Sequence, residues 1–489
     1  MAIDDRPKPD QPDPSELSGP SPSPAEDPSG DPATKPGAWT ALRPLLLRLH
    51  FYAGILIAPF LFVAAASGLL YALSFQAEKI VYSHELEVPA GDSTIPLTRQ
   101  VDAARQAHPE GTVTAVWPSS KAGETTRVLF DSPEVPEGKT LAVFVNPYNG
   151  EIRGELPSYG SSGALPVRAW TSELHRHLQL GEPGRHYSEL AASWLWVVVL
   201  GGLLLWFGRR RARRRDLLAP ARGQKKGRAR TLSWHGTVGL WAALGLLFLS
   251  ATGLTWSKYA GVSIGELQDR LGGATPAVDA ATTPGEGAAT GHGDHGGGGK
   301  AGHQGADIGL DRVLEIARGE GIDGRTTVTV PTDGQGYVVK QNDTAWPYHL
   351  DSVAIDPADG KVLDTVRFAD YPLLAKLTTL GINLHMGVLF GLTNQLLLAG
   401  LMLGTLLLIV WGYRMWWLRR PTKSGGLRMG RPMPRGAWRK VPLPVLLPLL
   451  AVTAVIGWYV PLFGLSLLAF LVTDAVAGAV GRARSRTAA

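Results

Sequence analysis

"RLHFYAGILIAPFLFVAAASGLLYALS" occupies residues 48–74, and "SWHGTVGLWAALGLLFLSATGLTWS" occupies residues 233–257. Shifted by 185 positions, they set His50 over His235, Gly54 over Gly239, Ser67 over Thr252 and Gly68 over Gly253. In both, the histidine precedes the second glycine by 18 residues. Each stretch is apolar for about the 20 residues that cross a bilayer core. The chain is a duplication, and its unit begins with a membrane helix.

A second offset extends the unit. At 210 positions, "VNPYNGEIRG" (145–154) falls on "IDPADGKVLD" (355–364), and Leu174-His175 falls on Leu384-His385. The same shift carries Gly181 onto Gly391, Trp206 onto Trp416 and Arg209-Arg210 onto Arg419-Arg420, without a gap. Two tandem units follow, each with a helix across, a soluble module, a Leu-His segment and a helix back.

Five runs carry few or no charges: Leu49–Phe75, Tyr187–Phe207, Val238–Trp256, Thr393–Tyr413 and Val441–Val472. The last is too long for one span and carries Pro461 near its middle, so a hairpin is expected and six spans in all. The net charge of +6 comes from clusters bordering these runs, "RRRARRR" at 209–215 and the segment 414–440. Basic residues in short loops between spans mark the cytoplasmic side, so the charge reads as topology and not as a nucleic-acid surface. Both termini are then cytoplasmic and the modules extracytoplasmic, in the cell membrane. The Pro-, Asp- and Ser-rich tail has no apolar segment of the signal-peptide kind and reads as disordered.

Divided on these signals, the chain reads as a tail (1–40), a first helix (41–78) and a first module (85–160). A Leu-His interfacial helix with its membrane helix (168–208), a basic loop (209–232) and a third helix (233–260) follow. A Gly/His-rich linker (274–306), a second module (307–370) and a second Leu-His unit (372–418) come next. A basic loop (419–440), the hairpin (441–478) and a tail (479–489) complete it. The fold class is a membrane helical bundle, four core helices plus the hairpin, with two α+β modules. In each module a helical segment precedes strands that end in a D/N-P-x-x-G turn, where Pro and Gly supply the fixed and positive φ angles. That order resembles the PepSY module.

There are twelve histidines and no cysteine. Thiolate-held iron–sulfur clusters and c-type haem attachment are therefore excluded. Only His50 with His235, and His175 with His385, coincide under the repeat. The topology puts the first pair near the cytoplasmic face and the second near the outer face. From His175 to Arg209 one unbroken helix would run about 51 Å, well over the core thickness. "GEPG" (181–184) and Gly391 supply breaks at matching places. Two imidazole pairs, one per face, are the donor sets for two bis-histidine haems of the non-covalent b type. The plainer alternative is interhelical hydrogen bonding with close small-residue packing. Gly54, Gly68, Gly239 and Gly253 would make room for a flat macrocycle. His292, His295 and His303 are further metal-ligand candidates, less favoured because nothing in a Gly-rich linker fixes their geometry.

The H-x-x-x-G…[ST]-G helices, the LHR and LH-x-G segments, the D/N-P-x-x-G strands and the W-x-x-R-R borders together resemble the PepSY-associated transmembrane family. The likeness covers about 41–472. The family includes iron-regulated membrane proteins and ferric-siderophore reductases, and its haem-liganding histidines fall on His50, His175, His235 and His385. The implied function is a b-type di-haem oxidoreductase. It would pass electrons from a cytoplasmic or quinol donor to an extracytoplasmic acceptor, a ferric siderophore being favoured. No flavin or nicotinamide fingerprint is present, and no catalytic residue is assigned. A sensor whose modules bind a partner without redox chemistry, and a metal-chelate permease, are the competing classes.

Overall fold

The computed structural model describes residues 38–209, 218–221, 226–282, 307–419 and 435–487. The N-terminal tail, most of both basic loops and the linker histidines His292, His295 and His303 lie outside the described residues.

The first apolar stretch forms two helices in line, α1 (Ala38–Leu56) and α2 (Ala58–Val81). Pro59, in the first turn of α2, has no N–H to give to the carbonyl four residues back, that of Ile55. The Tyr413 hydroxyl donates to that carbonyl instead, at 3.0 Å. A short turn, α3 (Ser83–Leu86), leads into the first module: α4 (Leu97–Ala107), then β1 (Thr112–Trp117), β2 (Thr126–Asp131), β3 (Lys139–Val145) and β4 (Ile152–Tyr159). The chain returns to the bundle through α5 (Pro166–His177) and α6 (Glu182–Arg209). Between them Leu178 and Gln179 adopt left-handed backbone, as does Gly181 at φ +62°. That reversal ends one helix and re-aims the next.

The second unit follows with α7 (Arg228–Thr255), α8 (Ala260–Arg270) and α9 (Leu310–Gly319). Strands β5 (Thr326–Thr329), β6 (Tyr337–Gln341), β7 (Ser352–Ile355) and β8 (Val362–Val366) precede α10 (Leu373–His385) and α11 (Gly391–Trp417). Helix α7 packs on α6 and α11, and α2 packs on α11 and α6, giving a four-helix core. The chain ends in α12 (Leu443–Tyr459) and α13 (Pro461–Thr487), a hairpin laid on α6. Trp194 donates to the Ser466 hydroxyl there at 2.8 Å, and Asp474 pairs with Arg48 and Arg435.

Five of the described helices are long and apolar enough to cross a membrane: Ala58–Val81, Glu182–Gly208, Arg228–Thr255, Gly391–Trp417 and Pro461–Arg484. The chain is a multi-pass membrane protein. Six spans were expected from the sequence. The sixth segment, α12, is an apolar helix of 17 residues, about 25 Å at 1.5 Å per residue, and it falls short of the ~30 Å core. Its partner α13 runs on to Thr487.

The two modules are not separate. Their strands form one antiparallel sheet in the order β4-β3-β2-β1-β5-β6-β7-β8. The junction pairs Ala115 with Thr329 and Val116 with Val328, so each module protects the other's edge strand. Strand alternation explains the layering. Val128 and Phe130 of β2 face α4 and α9, in a core with Val101, Val313, Val339 and Ile355. Arg127 and Leu129 point the other way, toward the membrane helices. Asp311 of α9 accepts hydrogen bonds from the Leu97 and Thr98 amides and the Thr98 hydroxyl, capping α4 and joining the modules on the helix side. The two strand turns repeat each other: Asn146 takes Glu151 and Asp356 takes Lys361, each N–H to carbonyl at 2.8 Å, with Gly150 at φ +79° and Gly360 at φ +77°.

Candidate functional site

Helices α1 and α7 bring His50 and His235 together at the end of the bundle away from the sheet. Their ring centres lie 6.4 Å apart, with the planes at 73°. The two imidazoles are held alike. His50 Nδ1 meets the Val198 carbonyl of α6 at 3.0 Å, and His235 Nδ1 meets the Leu408 carbonyl of α11 at 3.1 Å. Val198 and Leu408 are 210 positions apart, so the repeat extends to the backbone acceptors. A carbonyl only accepts, so Nδ1 carries the proton and Nε2 keeps its lone pair.

At the sheet end, α5 and α10 supply His175 and His385. His175 Nδ1 lies 3.0 Å from the Ser67 hydroxyl of α2; His385 Nδ1 lies 2.6 Å from the Thr252 hydroxyl of α7. Both hydroxyls spend their own proton on helix carbonyls one turn back, Ser67 on Val63 and Thr252 on Phe248. With its proton on that carbonyl, each hydroxyl accepts from imidazole N–H and leaves Nε2 the free lone pair. Trp256 stands edge-on to His385, ring centres 5.7 Å apart.

Small residues make room for these rings. A Cβ on Gly68 would sit 3.2 Å from His175 Cε1, one on Gly253 3.6 Å from His385 Cε1, and one on Gly202 3.1 Å from His50 Cε1. Gly54 faces open space, Gly239 would meet only Leu408, and the Gly253 contact is an ordinary one, so of the four repeat glycines only Gly68 is tight against a histidine. Gly202 was not anticipated, although it falls on Gly412 at the 210 offset.

The remaining described histidines are placed differently. Both His186 nitrogens are engaged, with the Glu182 carbonyl and the Tyr259 hydroxyl, and His84 is exposed. His177 Nδ1 is buried without a hydrogen-bond partner. His108 sits in the first module beside Phe130, its Nε2 3.0 Å from the Ser132 hydroxyl. Glu134 and Glu155 lie near it, the one such His/carboxylate group among the described residues, but both carboxylates are exposed.

Between the sheet and the sheet-side ends of the helices lies a cavity of about 2090 Å³. Its floor includes Asn383 and Met386, which flank His385 in the chain, and its roof includes Arg127 and Lys340. Arg127 stacks on Trp117 and Phe144 and gives one hydrogen bond to the Gly163 carbonyl at 3.3 Å. Burial pulls its guanidinium down to about 10. Enclosure likewise lowers the Lys340 ammonium. Neither pairs with a carboxylate among the described residues, whereas the neighbouring Arg168 and Arg325 are matched by Glu78 and Glu124. The cavity roof is net cationic.

A duplicated helix bundle with paired imidazoles at both ends and a shared sheet over one of them defines a PepSY-type polytopic membrane protein. The chain belongs to the family described as PepSY-associated TM region, whose signature matches residues 47–419, from just before His50 to just beyond α11. No curated protein matches the chain.

Proposed function

We propose that this protein is a b-type di-haem electron carrier of the cell membrane that reduces a ferric chelate on the sheet side. The observation that carries the reading is the His50–His235 spacing. The ring centres stand 6.4 Å apart, a separation that would let both imidazoles ligate one metal ion. With both Nδ1 atoms committed to carbonyls, the free Nε2 lone pairs form the donor set that b-type haem takes.

His50 and His235 would hold one haem and His175 and His385 the other. When bound, haem supplies one-electron exchange between ferrous and ferric iron. The chain's own residues fix the ring tautomers through Nδ1. In this reading the sheet side lies outside the cell and both termini inside, which the basic borders of the spans support. The roof cations Arg127 and Lys340 suit an anionic ligand, and a ferric chelate with catecholate or carboxylate oxygens has that character. One electron delivered to the chelated Fe(III) gives Fe(II), which hard oxygen ligands bind less strongly, so iron is released. The electron donor is a quinol or a separate cytoplasmic reductase.

The cavity also suits a sensor that binds a ligand without redox chemistry, and one experiment separates the two. Dithionite-reduced protein, freed of excess reductant, is expected to reoxidise faster with a ferric siderophore than with the iron-free chelator. Equal rates would remove the reductase assignment.

A further inference from the structure

The two histidine pairs differ in one respect that the repeat would not require: what their Nδ1 protons are given to. At the end away from the sheet, both acceptors are main-chain carbonyls, Val198 at 3.0 Å and Leu408 at 3.1 Å. At the sheet end the hydrogen-bond partners are alcohols, Ser67 at 3.0 Å and Thr252 at 2.6 Å, with the Ala64 carbonyl as a second, backbone neighbour of the His175 ring; only His385 faces an alcohol alone. An amide oxygen carries resonance-fed negative charge; an alcohol oxygen does not and is the weaker acceptor. Donation by Ser67 and Thr252 to their own helices strengthens them as acceptors by about 10–30%, and the Thr252 contact is the shortest of the four. Neither effect turns a hydroxyl into an amide carbonyl.

The partner of the distal nitrogen sets how basic a metal-bound imidazole is. A stronger acceptor makes the ring more electron-rich and favours ferric iron; a weaker one eases reduction. Resting on the haem reading above, the geometry points to an energetic slope built into the duplication. With haem held at both pairs, carbonyls behind His50 and His235 and hydroxyls behind His175 and His385 would make the sheet-side group the easier of the two to reduce, and passing an electron to it would need no proton to move, because the four Nδ1 protons keep their acceptors. His50 and Ser67 are 17 residues apart on nearly continuous helix, about 25 Å at 1.5 Å per residue, so the slope acts across most of the membrane. Ser67 and Thr252 are positioning residues here: they act on the iron through the imidazole.

The test is a spectroelectrochemical titration of the purified holoprotein in detergent. Two one-electron waves are expected, and His385→Ala should perturb or abolish the higher one. Ser67→Ala with Thr252→Val should move the higher wave upward and leave the lower in place, while the exchange Ser67→Thr with Thr252→Ser, which keeps both hydroxyls, should leave both waves where they were. A single unresolved wave, loss of the lower wave in His385→Ala, or movement of the lower wave in the hydroxyl-free variant would overturn the slope and leave haem binding standing. If the hydroxyl-free variant fails to fold, the wild type and His385→Ala still decide the order. A preparation without haem overturns the cofactor reading itself.

Discussion

Gly202 offers a graded way to disturb one histidine pair and spare the other. A Cβ there would lie 3.1 Å from His50 Cε1, 3.7 Å from Nδ1 and 3.8 Å from Nε2. Alanine therefore needs the ring to give by a few tenths of an ångström. It also gains up to about 1 kcal/mol of helix propensity over glycine, so Gly202→Ala should be near neutral in stability and keep both cofactors. Valine adds two γ carbons to the contacting Cβ, and overpacking of that kind costs about 1–3 kcal/mol. The His50 ring then has to leave its 3.0 Å contact with the Val198 carbonyl and lose its alignment with His235. Gly202→Val is expected to fall from two haems per chain to one, with the sheet-side signal unchanged. The assay is haem per polypeptide from the reduced pyridine adduct, alongside the thermal midpoint. Gly412→Ala is the control: it is the repeat counterpart, with nothing within 4 Å of its Cβ, and should keep two haems. Two haems in Gly202→Val, or loss in Gly412→Ala equal to that in Gly202→Val, would refute the steric reasoning.

Other outcomes follow from the same geometry. The double substitution His50→Ala/His235→Ala should leave one haem per chain by the same assay, while His186→Ala and His177→Ala should retain two. Asp311 is capped to α4, and although its burial acts to raise the carboxyl pKa, the hydrogen bonds from Thr98 and Leu97 outweigh it and the pKa is lowered. A depressed pKa in the folded state contributes stability above the unfolded value of about 3.9 that is lost as pH falls through the folded one. Asp311→Asn should thus flatten the acid limb of the melting curve, and Asp311→Ala should cost about 0.5–2 kcal/mol as a lost cap; an unchanged limb would contradict this. Because the chain has no cysteine, single-cysteine labelling reads topology directly. Exposed Ser93→Cys should react with an impermeant maleimide in intact cells, and exposed Thr487→Cys only after permeabilisation; the reverse pattern would invert the protein.

The bundle was legible because a bilayer demands long apolar helices and the duplication wrote the demand twice. His50, His175, His235 and His385 stood out from the other histidines only because two offsets matched them, and the structure brings them together by twos. What stayed hidden is non-local. The β1–β5 junction joins Val116 to Val328 through main-chain hydrogen bonds, which no side-chain pattern encodes. Helix α8 starts where Glu189, some 70 residues earlier, accepts from the Tyr259 and Ala260 amides, and the sequence division left residues 261–273 unassigned. The carbonyls of Val198 and Leu408 belong to ordinary apolar residues and leave no trace in the sequence. Ser67 and Thr252 were visible in the repeat as matched positions without a role, because their hydrogen bonds to histidine depend on how α5 and α10 fold back. Gly202 and Gly412 coincide at the 210 offset, a signal present and not used.

The most direct measurement is the absorption spectrum of the detergent-purified protein, oxidised and reduced, with haem and polypeptide quantified in the same sample. Two low-spin b-type haems per chain, reducible and released intact by acid acetone because nothing binds them covalently, are the expected result. A colourless protein, or one whose haem survives removal of all four of His50, His175, His235 and His385, would contradict the account.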